Sequence, residues 1–547
     1  MSHVIRQNKF VITSMIISIV LAGMTFGNMP PPPIPMGVQT IDGTTFNFAD
    51  YPALTHEQIA IINYFNRLVI DQPVNSWNGW NAENFLWALH YIHAFVSYIY
   101  AAFCETTSGY RTSQHLDFTY TLIEKMNTTL AEYGNHSVEY YEWESNTGFT
   151  DYYYPNATHP DADDVYTGGF RGPANIMWTG HYALMMALYE RNFNTGDFSD
   201  ELSWFIDSWK NSTTTDGFGN PKDGGIWGAG LIPCEPYIVF AQCNSIPMYT
   251  TTLYDNMYGT DFMGTGMWNH GLEFIEENMT DEYGLYIDGY FVQNPVGPGP
   301  NAEYVPDIVP GQAEDLLVDG PKLNSYGLSW ALMFLEYIIP DIVIPKYPIF
   351  LDHYGVDVSG DKMYILGSYH SPNLFGDVFG ALGTLFTMVL ANQRGDYATR
   401  NRLTNLMQNL FNKKWSSDGR EMYYDASSLE PFLSPNLSGF SVWSTLPVTV
   451  RDLADARPSE FWDYPYISDA DDDNIWVYQA QWDPDKSGFI LNIKVDSASE
   501  LTFSNFQSTP TAYSYGVSIG ELTPASGGEF TLNLQPGSYQ LVIMEGT

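Results

Sequence analysis

Basic residues are scarce in this chain. Its 547 residues include 22 Lys and Arg against 63 Asp and Glu, which gives a formal net charge of −41. Binding to nucleic acid requires Lys and Arg to neutralise phosphates, and no basic stripe is visible. Nucleic acid is therefore excluded as a partner. The acidic excess suits a solvated surface in a saline or cation-rich medium.

Cysteine is also scarce, with only Cys104, Cys234 and Cys243 in the whole chain. There is no CxxC pair, and the nearest histidine before Cys234 is His181, so the spacing of zinc ligands is absent and we expect no metal. For Cys234 and Cys243, two structural interpretations stay open at this point. They can be buried packing residues, or they can form a disulfide in an exported protein.

Long hydrophobic runs are absent after the amino terminus. The run from Phe10 to Met24 follows Arg6 and Lys9; at about 15 residues it is short for a membrane span and has the layout of a secretory signal. No clean A-x-A cleavage site follows it. We therefore predict a signal peptide or an uncleaved N-terminal anchor over residues 1–27, and a secreted or cell-surface protein. Residues 28–50, which contain the PPPPIP run, are predicted to be a Pro-rich linker.

Six N-x-S/T sequons are compatible with export. They begin at Asn127, Asn135, Asn156, Asn211, Asn278 and Asn436.

From Tyr51 onward the apolar spacing is helical, with three- and four-residue intervals between loops rich in Gly, Asn, Asp and Pro. This pattern predicts helices over His56–Ile70, Ala82–Phe103, Asp117–Tyr133, Gly180–Asn192, Asp200–Trp209, Ser245–Tyr258, Thr265–Glu277, Ser325–Tyr337, Gly376–Asn392 and Tyr397–Phe411. Ten or more helices of this length suit a toroid of paired helices. We assign residues 51–465 to this mainly α domain.

Near Asp471 the pattern changes to short alternating runs between turn residues, which is typical of strands. The predicted strands are Ile475–Trp482, Gly488–Val495, Leu501–Phe506, Tyr513–Ile519, Phe530–Leu534 and Ser538–Met544. Residues 471–547 are therefore predicted to form a small C-terminal β-sandwich.

The stretch from Pro233 to Asn244 reads PCEPYIVFAQCN and holds two of the three cysteines, nine positions apart. A single helix would place such a pair on opposite faces, and Pro236 would break that helix. We therefore predict a loop ending near Cys234 and a helix opening near Asn244, so that both sulfurs can face one pocket.

A second motif, NIMWTGH, spans Asn175–His181. Together with the CEP…F-x-x-CN pattern of the first motif, it resembles the linalool dehydratase/isomerase family, and a looser resemblance extends from about Gln58 to about Lys413. The resemblance implies an (α/α)6 barrel with its pocket at one end of the ring. It also implies dehydration or isomerisation of an alkenol or terpenoid alcohol without a cofactor.

Acid/base catalysis of this kind needs a proton donor for the hydroxyl and a base for a neighbouring proton. The resemblance makes Cys234 and Cys243 the pair placed around the hydroxyl-bearing carbons, and a thiol acts there only where its surroundings tune its pKa. It makes His181 an acid/base or hydroxyl-orienting group, although an isolated histidine is more often a hydrogen-bonded core residue.

The remaining candidates line the pocket in the family. Tyr91 and Tyr326 match its two pocket tyrosines, and aromatic faces can hold an isoprenoid chain or stabilise positive charge. The predicted substrate-binding residues are Met177, Phe240, Trp330 and Glu235.

The chain departs from the family at the first helix. Asn66 occupies the place of an aspartate that, in the family, reaches across a subunit interface into a neighbour's site, and an amide cannot exchange a proton as a carboxylate does. Asp71 could substitute for it if the register slips. Cys104 stands alone, without the partner of the family's structural cysteine pair. The family interface implies a homo-oligomer with the site near the subunit boundary.

Two other classes of protein share this layout. A secreted polysaccharide hydrolase or lyase would use two carboxylates, for which Asp161–Asp164 or Glu314–Asp315 are candidates that also suit solvated loops. A non-catalytic surface protein would bind a lipid or glycan in the toroid.

Overall fold

The computed structural model describes residues 37–76, 78–80, 89–126, 129–130, 136–137, 176–217, 219–234, 238–287, 289–292, 324–367, 378–426 and 433–546. Within these ranges the protein is mainly helical, with separate small sheets. Its helices are α1 His56–Val69, α2 Leu89–Thr106, α3 Ser113–Met126, α4 Ile176–Phe193, α5 Ser199–Thr214, α6 Ala241–Tyr258, α7 Asn269–Asn278, α8 Ser325–Ile338, α9 Pro340–Tyr354, α10 Val378–Gln393, α11 Tyr397–Leu410, α12 Leu433–Trp443 and α13 Val450–Leu453.

The helices differ in how much of their surface is apolar. In α4 every residue from Ile176 to Asn192 is buried, as expected of a helix that is enclosed on all sides. In α5 burial is confined to a stripe that includes Leu202, Phe205 and Trp209, which is the pattern of a helix with one face in solvent. The two kinds of helix alternate along the chain.

Packing follows the same alternation. The even-numbered helices contact one another in the order α2, α4, α6, α8, α10 and α12, and α12 in turn contacts α2. Most of the odd-numbered helices pack on this set: α3 on α2 and α4, α5 on α4, α9 on α8, α11 on α10, α13 on α8 and α2, and α1 on α12 as well as on α3. Chain neighbours are therefore spatial neighbours, as short connections favour.

Ion pairs lie near the carboxyl ends of α2, α4 and α8. Near their carboxyl ends, Arg191 of α4 and Arg457 both contact Glu105 of α2, at 2.7 and 2.8 Å, and Glu336 of α8 pairs with Arg394 at 3.0 Å. Such cations neutralise the negative end of the helix dipole. The residues immediately before most of the even-numbered helices lie outside the described ranges.

Most predicted helices are confirmed, with shifted ends. The helix predicted from Gly180 begins at Ile176, the one predicted from Ser245 begins at Ala241, and the one predicted from Asp117 begins at Ser113. The start predicted at Ala82 lies outside the described residues. Three helices, α9, α12 and α13, were not predicted. α13 has only four residues, whereas α9 and α12 contain proline: Pro345 and Pro348 lie inside α9, where proline normally interrupts the hydrogen-bond ladder.

The strands of the helical region form two-stranded pairs. They are β1 Val38–Ile41 with β2 Thr44–Asn47, β3 Thr129–Leu130 with β4 His136–Ser137, β5 Ile238–Phe240 with β6 Gly289–Phe291, β7 Gly355–Ser359 with β8 Lys362–Ile365, and β9 Asn412–Trp415 with β10 Met422–Asp425.

The C-terminal region contains two antiparallel sheets. Their strands are β11 Tyr466–Ala470, β12 Ile475–Asp483, β13 Gly488–Val495, β14 Ser499–Ser504, β15 Pro510–Ser514, β16 Val517–Glu521, β17 Thr523–Pro524, β18 Phe530–Leu534 and β19 Gly537–Glu545. One sheet has the order β11-β14-β18-β17 and the other β12-β13-β19-β15-β16. Leu501 and Phe503 of the first share one hydrophobic cluster with Phe489 and Leu491 of the second.

The predicted strand over Tyr513–Ile519 is wrong in one respect. It is two strands, β15 and β16, joined at Tyr515 and Gly516, which both have positive φ, the backbone that a tight turn requires. The sheet region also begins with β11 at Tyr466, before the predicted start at residue 471.

Part of the predicted linker over residues 28–50 is folded. Residues 38–47 form the β1–β2 hairpin, whose Ile41 and Phe46 pack with Phe48 against Ile490 and Val542 of the five-stranded sheet. Buried amides add hydrogen bonds to this contact, because the Nε2 of Gln39 donates to the carbonyl of Gln540 at 2.9 Å. Only residues 28–36 of the predicted linker lie outside the described residues.

Two further observations concern export. Within the described ranges, no helix has both the length and the hydropathy needed to cross a membrane. Of the six sequon asparagines, Asn436 is buried in α12, so its side chain is not accessible to glycosylation in the folded protein.

Candidate active site

Two cysteine thiols meet where the loop after Pro233 reaches the first turn of α6. The Sγ of Cys243 lies 3.2 Å from the Sγ of Cys234. Both side chains are buried and neither forms a disulfide, which would hold the sulfurs about 2.05 Å apart. Cys234 lies outside the helix and Cys243 inside it, as predicted, and the structure brings their sulfurs into contact. The helix opens at Ala241, three residues before the predicted start at Asn244.

Asn244 holds the two thiols in this position. Its fully buried side chain accepts a hydrogen bond from the Ile232 amide at 2.9 Å and donates to the Ile232 carbonyl at 3.0 Å. The same amide group donates to the Phe240 carbonyl at 3.1 Å. Asn244 therefore connects the segment just before Cys234 to the first turn of α6, which carries Cys243.

The histidine motif lies beside this loop. The amide of Ile176, at the start of α4, donates to the Pro233 carbonyl at 3.1 Å. Farther along, a β-carbon on Gly180 would lie 3.1 Å from the Cδ of Pro247, so glycine lets α4 and α6 approach closely. The two sequence motifs are thus packed side by side. Met177, one residue into α4, is buried here as predicted for a pocket residue.

His181 is buried in the second turn of α4, not at the start of a helix as predicted. Its Nδ1 is 2.6 Å from the phenol oxygen of Tyr98 on α2. Complete burial raises the pKa of Tyr98 well above its ordinary value, so the phenol stays protonated and can donate to Nδ1. In a neutral imidazole that bond leaves the ring proton on Nε2.

Aromatic side chains from four of the even-numbered helices surround this pair. The ring of Trp330 lies 5.0 Å from that of His181 and stacks on Phe386 at 5.4 Å. Phe95 contacts His181 edge-on at 5.5 Å and Phe440 at 5.4 Å. The result is a buried aromatic centre around His181 and Tyr98. Aromatic faces favour apolar ligands and can stabilise developing positive charge.

The other predicted residues fall at the same ends of their helices or outside the described structure. Phe240 is buried just before α6, and Tyr326 is half-buried in the first turn of α8. Tyr91 is in the first turn of α2, but its side chain lies outside the description, as does all of Glu235. The roles given to all the predicted site residues stay predictions.

Asn66 lies elsewhere, in a groove along α1. This cavity of about 200 Å³ is bounded by α1, the β9–β10 turn and the C-terminal sheets, and it is also lined by Asp71. Arg67 and Glu421 form an ion pair at 2.7 Å beside it. The groove contains none of the predicted site residues in this chain.

Two buried carboxylates of the helical region are held in structural contacts. Glu190 is buried, but it accepts backbone hydrogen bonds from Gly196 and Phe198. Glu336 is buried in an ion pair with Arg394. The candidates Asp161–Asp164 and Glu314–Asp315 lie outside the described residues.

Sequence reasoning missed three residues of this site: Tyr98, Phe95 and Asn244. Tyr98 lies seven residues, or about two helical turns, after Tyr91, and so belongs to the same face of α2. Asn244 directly follows Cys243 in the motif. The only sequence signal for its role was a short polar side chain inside an otherwise apolar segment, which indicates a buried hydrogen bond.

Solved structures similar to this chain are distant. A glycoside hydrolase from family 105 of C. acetobutylicum ATCC 824 is 11% identical over 72% of this chain and 98% of its own, with a TM-score of 0.42. An inactive variant of the alpha-1,6-mannanase GH76A of Salegentibacter sp. HEL1_6 is 11% identical over 74% and 100%, with a TM-score of 0.38. A GH127 beta-L-arabinofuranosidase from Geobacillus stearothermophilus T6 is 11% identical over 90% and 76%, with a TM-score of 0.33. Similarity this weak assigns no activity.

Similarity in sequence is more specific. The family model of linalool dehydratase/isomerase matches residues 227–304, the segment that contains Cys234, Asn244 and Cys243. The family resemblance seen in the motifs is therefore confirmed over the part of the chain that carries the thiol pair.

Proposed function

We propose that this protein is a cofactor-independent dehydratase/isomerase of an alkenol or terpenoid alcohol. The observation that carries the proposal is the 3.2 Å contact between the buried thiols of Cys234 and Cys243, which form no disulfide, in a segment that matches the linalool dehydratase/isomerase model. A thiol can donate a proton and a thiolate can accept one, so two thiols in contact suit an acid/base pair.

The reaction divides between the two sulfurs. One thiol donates its proton to the substrate hydroxyl as the C–O bond breaks, and water leaves. The thiolate that remains takes the proton of the second thiol across their contact, and the second sulfur then removes a proton from a neighbouring carbon, so that the C–H electron pair forms the new C=C bond of a diene. In isomerisation, water adds instead to the other end of the allylic system and gives one proton back to the thiolate. The atoms balance without an oxidant or a cofactor.

His181 serves this chemistry by orienting the hydroxyl or relaying a proton. Tyr98 fixes Nδ1, so Nε2 is the nitrogen that can donate to an oxygen. Trp330 and Phe95 supply aromatic faces beside the imidazole, which favour an apolar chain and an allylic cation. Met177, Phe240, Tyr91, Tyr326 and Glu235 complete the proposed substrate-binding set.

The proposed fold is an (α/α)6 barrel. Support comes from the packing order of the even-numbered helices, which returns from α12 to α2, and from the odd-numbered helices that pack around them. In this barrel the even-numbered helices form the inner ring, and the site lies at their amino-terminal ends. We further propose a C-terminal β-sandwich domain from β11 onward, export of the chain, and a homo-oligomer whose interface lies near the site.

The experiment is anaerobic incubation of the purified protein with tertiary and primary alkenols, linalool and geraniol among them, followed by gas chromatography for dienes and isomers. Cys234→Ala and Cys243→Ala are each expected to lower turnover by at least about 100-fold, because each removes an acid/base group. Cys104→Ala is the matched control, since Cys104 is also buried and free but belongs to α2.

Three results would contradict the proposal. Equal losses in all three cysteine variants would indicate damage to the fold. Full turnover in Cys234→Ala would remove the thiols from the mechanism. Absence of alkenol turnover together with polysaccharide cleavage would favour the carboxylate mechanism of a hydrolase or lyase.

A further inference from the structure

Four exposed large apolar side chains, which include the three most exposed of the described residues, lie at one corner of the five-stranded sheet. Their exposed fractions are 75% for Tyr515, 67% for Val517, 62% for Val38 and 50% for Ile519. The corner is held together by a hydrogen bond from the Gly516 amide to the Oε1 of Gln39, at 3.2 Å, which joins the β15–β16 turn to β1. We call these four residues the apolar corner.

The corner includes an open sheet edge. β16 is the last strand in the order β12-β13-β19-β15-β16, and all five of its residues are exposed. Side chains in a strand alternate between faces, so Val517 and Ile519 point to the same side. Edge strands are normally protected by charge, proline, a β-bulge or a covering element. β16 has a register shift between Ser518 and Gly520 and ends at the exposed Glu521, but residues 510–520 and 43–49 contain no charged side chain.

The missing charge is unusual for this chain. With a net charge of −41, an uncharged apolar corner is a departure from the rest of the surface, and exposed apolar patches mark interaction sites. This negative charge disfavours an anionic surface as the occupant. The occupant that remains suitable is apolar and neutral.

The position of the corner along the chain points to a lipid surface. Val38 follows Gly37, the first described residue, and the sequence before it contains Arg6, Lys9 and the apolar run Phe10–Met24. Twelve residues lie between Met24 and Gly37, so the two are at most about 45 Å apart when this segment is extended. A bilayer that receives the apolar run is therefore within reach of the apolar corner.

We propose that the apolar corner docks on the surface of a neutral or zwitterionic lipid bilayer. Tyr515 suits the headgroup region, where a ring with a polar tip is favoured, and the aliphatic side chains of Val517, Ile519 and Val38 gain free energy by leaving water. This docking does not depend on the proposed reaction, although it would bring a dehydratase close to alcohols dissolved in lipid.

The test uses the full chain with a spin label at Tyr515→Cys. The native Cys104, Cys234 and Cys243 are buried, so a bulky label reacts at the new thiol. Tyr397→Cys is the matched control, because Tyr397 is 56% exposed but lies on α11. On addition of phosphatidylcholine vesicles, the collision rate of the label at 515 with oxygen is expected to rise several-fold. Its collision rate with an aqueous nickel complex is expected to fall several-fold. The label at 397 is expected not to change.

Each other outcome overturns the proposal. A label at 515 that stays in water while the protein sediments with vesicles places the corner away from lipid, and a protein that does not sediment has no lipid contact. Protection without vesicles that rises with protein concentration identifies a second copy as the occupant. Protection that is independent of concentration identifies the chain's own first 36 residues. None of these readouts depends on turnover, so failure here leaves the proposed function standing.

Discussion

Asn244 is the residue on which the geometry of the thiol pair depends. Asn244→Ala removes three buried hydrogen bonds and leaves the Ile232 amide without its side-chain partner. We expect the free energy of unfolding to fall by roughly 2–4 kcal/mol. We also expect Cys234 to react with iodoacetamide at least about tenfold faster, because its loop is released. Chemical denaturation and the rate of alkylation measure the two effects.

Asn392→Ala is the control for this change. Asn392 is buried and donates to the Leu446 carbonyl at 2.9 Å, in a different part of the helical region. It is expected to lose stability without a change in thiol reactivity. If both variants alkylate at the same rate as the unmodified protein, Asn244 does not position the thiols.

The second prediction at the residue scale concerns Tyr98. Tyr98→Phe removes the hydroxyl that holds His181 Nδ1, so the imidazole loses its fixed proton arrangement. We expect turnover to fall about 10- to 100-fold with a shifted pH profile, and the free energy of unfolding to change by less than about 1.5 kcal/mol. Steady-state kinetics across pH measures this loss.

Tyr100→Phe is the matched control. Tyr100 is on the same helix, fully buried and stacked on Phe118, and within the described residues its hydroxyl makes no hydrogen bond. Removing that hydroxyl should leave turnover unchanged and stability equal or slightly higher. A loss of activity in Tyr100→Phe equal to that in Tyr98→Phe would refute the assigned role.

At the scale of elements, the close contact between α8 and α10 depends on Gly383. A β-carbon there would lie 2.1 Å from the hydroxyl oxygen of Ser325 in the first turn of α8. Gly383→Ala is therefore expected to lower the free energy of unfolding by about 1–3 kcal/mol through overpacking. Ser325→Ala in the same chain removes the clashing oxygen and should restore part of the loss, as a double-mutant cycle will measure.

Gly360→Ala serves as the control in this series, since a β-carbon at Gly360 meets nothing within 4 Å. It should leave stability within about 0.5 kcal/mol of the unmodified protein. A neutral Gly383→Ala would mean that α8 and α10 can separate freely.

Elements with regularly spaced apolar residues were predictable from the sequence. Elements interrupted by proline or by a tight turn were not. α11, β13 and β18 lie within a residue of their predicted ranges. α9 was missed because its prolines would normally end a helix, whereas in the folded protein α9 is stabilised by packing on α8. The strand predicted over Tyr513–Ile519 was divided by a turn that only positive φ at Tyr515 and Gly516 makes possible.

At the scale of the whole molecule, Asp472 couples the helical region to the C-terminal sheets. It accepts hydrogen bonds from Tyr110 and Thr112, which lie between α2 and α3. Burial, with the nearby Asp469 carboxylate, raises the pKa of Asp472 to about 6. A carboxyl whose folded pKa is raised stabilises the fold while it is protonated, and that contribution is lost as the pH rises through the folded value.

We therefore expect the unmodified protein to lose roughly 2 kcal/mol of unfolding free energy between about pH 4 and pH 6 that Asp472→Asn does not lose. Urea denaturation of both proteins at several pH values measures the difference. Asp485→Asn, at an exposed carboxylate between β12 and β13, is the control and should keep the pH dependence of the unmodified protein. Identical pH profiles for all three proteins would exclude a protonated Asp472 at this junction.

The sequence by itself determined the periodic helices, the change to short strands near residue 471, and the local separation of Cys234 from Cys243. These features depend on residues close together in the chain, whose spacing and backbone preferences are physical constraints before folding. The tertiary structure alone decided the contact of the two sulfurs, the pairing of His181 with Tyr98 and the docking of the β1–β2 hairpin on the C-terminal sheet. Each joins positions whose distance is set by how helices and sheets pack, and no local pattern encodes that distance.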